Sequence, residues 1–85
     1  MWVERPQMRT LYVGGLPVDT DEPALRALFK AFEGVASVRV VTKEEGGCRG
    51  FGYVTFDDDD IATRAQAVLD GRAHQDTTLR VAFAT

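Results

Sequence analysis

The amino-acid sequence predicts an α+β fold: a βαββαβ sandwich in which a four-stranded antiparallel sheet carries two helices packed on one face. Three observations predict it. Two segments place apolar residues at helical spacing, four short segments are rich in β-branched and aromatic residues with turn residues between them, and 85 residues leave room for one small domain. The composition suits a folded chain, with 45% hydrophobic and 27% charged residues, near the globular average. A domain of this size has a thin core, so its function is expected on a surface rather than in an enclosed cavity.

The first nine residues mix charge, Pro6 and isolated apolar groups without a period. They read as a flexible lead-in, which leaves 10–85 as the single domain. Thr10 to Val13 form a first strand that Gly14, Gly15 and Pro17 bring to an end. Thr20 or Asp21 caps the first helix, with Asp21, Glu22 and Pro23 in its first turn, where acids suit the helix dipole and proline is tolerated. Leu25, Leu28, Phe29 and Phe32 fall at i, i+3, i+4 and i+7 on one face, and Gly34 is the expected stop. Val35 to Thr42 is a second strand by its β-branched content, the charged run from Lys43 to Gly47 a turn, and Arg49 to Phe56 a third strand. Asp57 to Asp60 supply the cap and first acids of a second helix, with Ala62, Ala65, Val68 and Leu69 as its apolar face and Gly71 as its stop. A polar loop around His74 leads to a fourth strand, Thr78 to Phe83. This order is the split βαβ, or ferredoxin-like, arrangement, and right-handed crossovers put both helices on the same side of the sheet.

Side chains alternate along a strand, so each strand divides into two sets. Leu11, Val13, Val38, Val40, Val54, Phe56, Leu79, Val81 and Phe83 form a wholly apolar set suited to the helix-covered face. The other set is Thr10, Tyr12, Gly14, Arg39, Val41, Phe51, Tyr53, Thr55, Arg80 and Ala82. Tyr12, Phe51 and Tyr53 are therefore expected to stand exposed, and a clustered aromatic patch on a small domain marks a binding site. Rings beside guanidinium groups on an open sheet suit single-stranded nucleic acid, since bases offer π-faces and phosphates offer charge.

Charge qualifies that reading. Ten Lys and Arg against 13 Asp and Glu give a net charge of −3, which argues against long-range attraction to a polyanion. Eight of the ten cations are Arg, the type fitted to bidentate phosphate contacts and to stacking. None of the 13 acids falls among the residues assigned to the open face, so the charge predicts a weak, local binder that depends on stacked rings.

Two motifs make the reading specific. The hexamer LYVGGL at 11–16 and the octamer RGFGYVTF at 49–56 resemble the paired motifs of the RNA-recognition motif (RRM) family, and the octamer is a marker of that family. Arg49, Gly50, Phe51, Gly52, Tyr53, Val54 and Phe56 fill its defined positions and Thr55 the variable one. The resemblance covers about Thr10 to Ala84 and implies a domain that binds a short stretch of single-stranded RNA without catalysis, in RNA processing or regulation, with single-stranded DNA an alternative target. By position, Tyr12 and Tyr53 would each stack a base, Phe51 would pack against sugars between them, and Arg49 would contact a phosphate. Arg39, Arg80 and Lys43 are further candidate contacts. Gln66 departs from the resemblance, standing where the second helix usually carries an aliphatic residue.

Other classes find little support. One cysteine, Cys48, and one histidine, His74, leave no disulfide and no Cys/His zinc set, and no cofactor or catalytic residue is expected. Asp57 to Asp60 read as helix caps rather than a metal site. No apolar run approaches the roughly 20 residues of a membrane span, so the chain is expected to be intracellular, monomeric and free of the membrane. The rival reading is a protein-docking member of the same family, which would hold a peptide or partner domain on its helical face or loops.

Overall fold

A computed structural model describes residues 9–84. Trp2 and the lead-in before Arg9 lie outside the described residues. The chain runs β1 (Thr10–Gly14), α1 (Glu22–Leu28), β2 (Val35–Thr42), β3 (Cys48–Phe56), α2 (Asp59–Leu69), β4 (Ala73–His74), β5 (Thr77–Thr78) and β6 (Arg80–Phe83). The main sheet has the antiparallel order β2-β3-β1-β6, and β4 and β5 form a separate small hairpin. The expected βαββαβ sandwich is therefore present, with both helices packed on one face of the four-stranded sheet.

Local chemistry sets the helix starts. Asp21, one of the two expected caps, has an extended backbone, and its carboxylate accepts a hydrogen bond from the Ala24 N–H at 2.9 Å. Asp58 caps α2 in the same way, accepting from the N–H groups of Asp60 and Ile61 at 2.7 and 3.1 Å. These acids satisfy helix N–H groups that otherwise have no partner. Of the neighbouring acids, Asp59 forms a salt bridge with Arg9 at 2.8 Å.

The core lies between the helices and one sheet face. Leu11, Val13, Val54, Phe56, Leu79 and Val81 are buried as expected from strand parity, and Val38, Val40 and Phe83 are partly buried at its margin. Leu25 and Phe29 enter from the α1 segment, and Ala62, Ala65 and Leu69 from α2. Phe29 and Phe56 meet edge to face at 5.8 Å. Gly52 makes this packing close. A Cβ there would stand 2.5 Å from the Arg39 carbonyl oxygen and 2.8 Å from Leu25 Cδ2, so glycine is what lets the Leu25 side chain of α1 reach β3.

Four details differ from the sequence expectation. Helix α1 ends at Leu28, several residues before Gly34, because Phe29, Lys30 and Phe32 turn through i→i+3 bonds to Arg26, Ala27 and Phe29. The tighter turn still leaves Phe32 packed against the core, which is why the apolar stripe outlasts the α-helix. Val68 is 46% exposed, since it sits at the flank of the stripe that Ala62, Ala65 and Leu69 fill. Gln66 takes the other flank and donates from Nε2 to the Val81 carbonyl at 2.9 Å, so the polar residue ties α2 to β6. Finally, the segment around His74 is a hairpin rather than an open loop. Gln75 takes a positive φ of 52° at its tip, and Thr78 belongs to that hairpin instead of opening the last sheet strand.

Among the described residues no helix is long and apolar enough to cross a membrane. The Gly52 contacts yield a test. Gly52→Ala is expected to lower unfolding stability by about 1–3 kcal/mol, the usual cost of forcing an extra methyl into a filled core, measured as a fall in the urea midpoint with unchanged slope.

Candidate nucleic-acid interface

The open face is built by register. Tyr12 on β1 lies opposite Tyr53 on β3, and Tyr53 lies opposite Arg39 on β2. On the far side of β1, Tyr12 lies opposite Ala82. One step along, Gly14 is flanked by Phe51 on β3 and Arg80 on β6. One step the other way, Thr55 is flanked by Thr10 and Ser37. The face is thus three short rows across the strands, with the aromatic residues in the two rows nearest the β2–β3 loop.

Tyr12, Phe51 and Tyr53 form one cluster. Ring centroids are 5.6 Å apart for Tyr12 and Phe51 with a tilt of 31°, and 6.1 Å apart for Tyr12 and Tyr53 and for Phe51 and Tyr53, both edge to face. The rings are half-buried rather than fully exposed, because each covers part of the others. Their remaining faces turn away from the core, and neither helix reaches this side of the sheet.

Tyr12 owes its pose to Gly14. A Cβ at Gly14 would stand 2.6 Å from the Tyr12 hydroxyl and 2.9 and 3.0 Å from two ring carbons. The ring therefore reclines along β1 over bare backbone. A side chain at position 14 would prop it upright, and a reclining ring is the one that offers its face to a base.

Phe51 and Arg49 are aimed by a break in the β2–β3 ladder. Val40 pairs with Gly52 and Thr42 with Cys48, so two steps on β2 correspond to four on β3. The surplus is taken up at Gly50, whose φ of +101° is strained for any residue with a Cβ. Buried Cys48 helps hold this bulge: its Sγ accepts from the Gly50 N–H at 3.2 Å and lies 3.8 Å from the Phe51 carbonyl. The segment leaving β1 braces the same place, with the Leu16 N–H donating to the Gly50 carbonyl at 2.9 Å and the Cys48 N–H to the Val18 carbonyl at 2.8 Å. Nothing in the local pattern identifies Cys48 as a structural ligand of this turn, because its partners are backbone groups.

The cations surround the rings. Arg49 is exposed, and its Nε donates to the Thr42 carbonyl at 3.3 Å. Arg49, Lys43, Glu44, Glu45 and Phe51 line a shallow depression at the β2–β3 end of the cluster. Arg39 lies across from Tyr53, and Arg80 beside Gly14 at the other sheet edge. The fold thus gathers Tyr12, Phe51, Tyr53, Arg49 and Lys43 around one patch and sets Arg39 and Arg80 at opposite margins. Missed by motif reading is a shallow groove on the outer side of Tyr53, lined by Thr10, Ser37, Arg39, Thr55 and Ala84. Strand parity placed Thr10, Arg39 and Thr55 on this face, but only the cross-strand register joins them to Ser37.

The family model for the RNA recognition motif matches residues 11–80, nearly the whole described chain. The chain belongs to this family. Among its relatives it is 39% identical over 72 residues to glycine-rich RNA-binding protein 2, mitochondrial, of Arabidopsis thaliana, covering 84% of this chain and 46% of that protein. It is 42% identical over 72 residues to the chloroplastic 28 kDa ribonucleoprotein of Spinacia oleracea, covering 84% of this chain and 31% of that protein. This RRM therefore spans less than half the length of either relative. Among solved structures, the second RRM domain of yeast poly(U)-binding protein superposes with a TM-score of 0.81 at 33% identity, covering 91% of this chain and 94% of that one. A Sex-lethal protein in complex with RNA superposes with a TM-score of 0.84 at 29% identity, covering 91% of this chain and 47% of that one.

The role given to Gly14 can be checked without a ligand. Gly14→Ala is expected to weaken the nuclear Overhauser contacts between the Tyr12 and Phe51 rings while leaving those between Leu11 and Val54 intact. Unchanged ring contacts would show that the pose does not depend on the missing Cβ.

Proposed function

We propose that this RRM binds a short segment of single-stranded RNA across its open sheet face, without catalysis, and that residues 10–85 form a monomeric binding module for RNA processing or regulation inside the cell. One observation carries the reading: three aromatic rings lie within 6.1 Å of their neighbours on a sheet face that neither helix reaches, with arginines at the margins. Ring faces accept bases of any sequence, and cations beside them meet the phosphates between bases. Tyr12 and Tyr53 each stack a base, Phe51 packs against the sugars, and Arg49, Lys43 and Arg80 contact the backbone. The printed names of relatives as RNA-binding proteins and ribonucleoproteins, and a solved neighbour in complex with RNA, support this reading.

Magnitudes set the expected strength. Stacking contributes about 1–3 kcal/mol per base, so two bases supply roughly 2–6 kcal/mol, whereas a 1 μM complex needs about 8 kcal/mol. The isolated domain should bind with micromolar or weaker affinity. With at most four cations near the rings, and about 0.7 of a counterion released per phosphate on a single strand, the log–log salt slope should lie at about −2 to −3.

Titration of a degenerate pool of short RNAs into isotope-labelled protein, followed by amide shifts, tests the proposal. Shifts are expected on β1 and β3 around Tyr12, Phe51 and Tyr53, and the double variant Tyr12→Ala/Tyr53→Ala should weaken binding by about thirtyfold or more, as losing about 2 kcal/mol or more of stacking requires. Shifts confined to the helices, or a double variant that binds as the parent does, would sink the stacking interface and favour docking of a protein partner on the helical face.

A further inference from the structure

The row of hydroxyls beside the ring cluster has no part in the interface so far. Thr10, Thr55 and Ser37 stand abreast on β1, β3 and β2, and the Thr10 and Thr55 hydroxyls are hydrogen-bonded at 3.1 Å. With Arg39, Tyr53 and Ala84 they line the groove along the outer side of the Tyr53 ring. The side chains of this groove are unequal in hydrogen-bonding type. A guanidinium presents five N–H donors and no acceptor, a hydroxyl can turn to donate or accept, and among the described residues no carboxylate side chain lines the groove. Arg39 is exposed, and the one salt bridge among the described residues joins Arg9 to Asp59, so no described carboxylate pairs with its guanidinium.

A base lying on the Tyr53 ring is bounded by two cross-strand neighbours. On the β1 side stands Tyr12, itself an aromatic platform, and on the β2 side stands Arg39. A base seated there with its hydrogen-bonding edge turned away from Tyr12 would meet Arg39 and the groove. We propose that this groove reads the base seated on Tyr53 and selects one that turns a keto oxygen toward Arg39, guanine or uracil foremost, over adenine, which has none. The inference rests on the stacking role of Tyr53 proposed above and adds which base that ring takes.

The selection follows from the donors. Guanine turns O6 and N7 toward a single guanidinium fork, the pairing in which arginine discriminates bases best. Uracil offers O4 or O2 to the same fork. Adenine places an amino group beside its ring nitrogen, and that group can only donate, so it faces the guanidinium donor to donor. If Arg39 instead met a phosphate, it would raise affinity for every sequence alike.

An inosine scan separates these outcomes. The probes are an adenosine hexanucleotide and six versions in which one adenosine is replaced by inosine, which exchanges the amino group for a keto oxygen at equal ring size. Inosine in at least one position is expected to tighten Kd roughly fivefold or more. Arg39→Ala should bring that ratio to about one, and Thr55→Val should reduce it, with the amide spectrum of the core confirming that both variants fold. Equal Kd values for all seven probes would overturn the inference while leaving RNA binding in place. So would an Arg39→Ala variant that weakens all seven by the same factor, since that places the guanidinium on phosphate. If none of the probes binds, or if Tyr53→Ala binds the adenosine hexamer as the parent does, the stacking reading itself fails and the base preference falls with it.

Discussion

The antiparallel register of β1 against β3 is the constraint on which the rest of the molecule depends. It pairs Leu11 with Val54 and Tyr12 with Tyr53, so a single alignment fills the core on one face and assembles the ring cluster on the other. Because side chains alternate with a period of two, a slip by one residue would carry the rings inward and the aliphatics outward. Burying Leu11, Val13, Val54 and Phe56 thus fixes the binding face without any interaction on that face having to do so. Core and interface are the two sides of one decision, and the free energy that enforces it comes from the apolar side.

Two glycines refine that decision from opposite sides of the sheet. Gly52 removes a side chain from the core face so that Leu25 of α1 can approach β3, and Gly14 removes one from the open face so that the Tyr12 ring can recline. Both sit in the hexamer and octamer motifs, yet their duties differ: one concerns stability and the other the pose of a ring. Gly50 adds a third duty, taking up the extra length of β3 with a positive φ and aiming Phe51 and Arg49 toward the β2–β3 loop. These three glycines of the two motifs are therefore separate steric solutions placed close together.

Much of this was legible in the sequence because it is governed by periodicity. The helical stripe from Leu25 to Phe29, the carboxylate caps and the alternation along four strands are local patterns, and they suffice to separate the Tyr12, Phe51 and Tyr53 face from the core face. What escaped depends on partners distant in sequence. The early end of α1 reflects i→i+3 turns that keep Phe32 on the core, the exposure of Val68 reflects how little of α2 the sheet can cover, and the Ala73–Thr78 hairpin forms in a segment without strand periodicity. The site followed the same division. Motif residues were readable singly, whereas the groove of Thr10, Ser37, Arg39 and Thr55 exists only once the three strands are in register.

The bracing of β3 by the segment that leaves β1 carries one more consequence. The bonds from Leu16 to Gly50 and from Cys48 to Val18 tie the two motifs to each other directly. The β2–β3 turn, by contrast, is closed locally between Lys43 and Gly47, and a Cβ added at Gly46 would meet nothing within 4 Å. The two motif strands are thus tied to each other without help from the turn between β2 and β3, which contributes Lys43 to the rim of the patch. A chain circularly permuted to begin at Gly46 would keep the platform whole, and natural lengthening of that turn could add new contacts to a nucleic acid without redesigning the surface on which its bases rest.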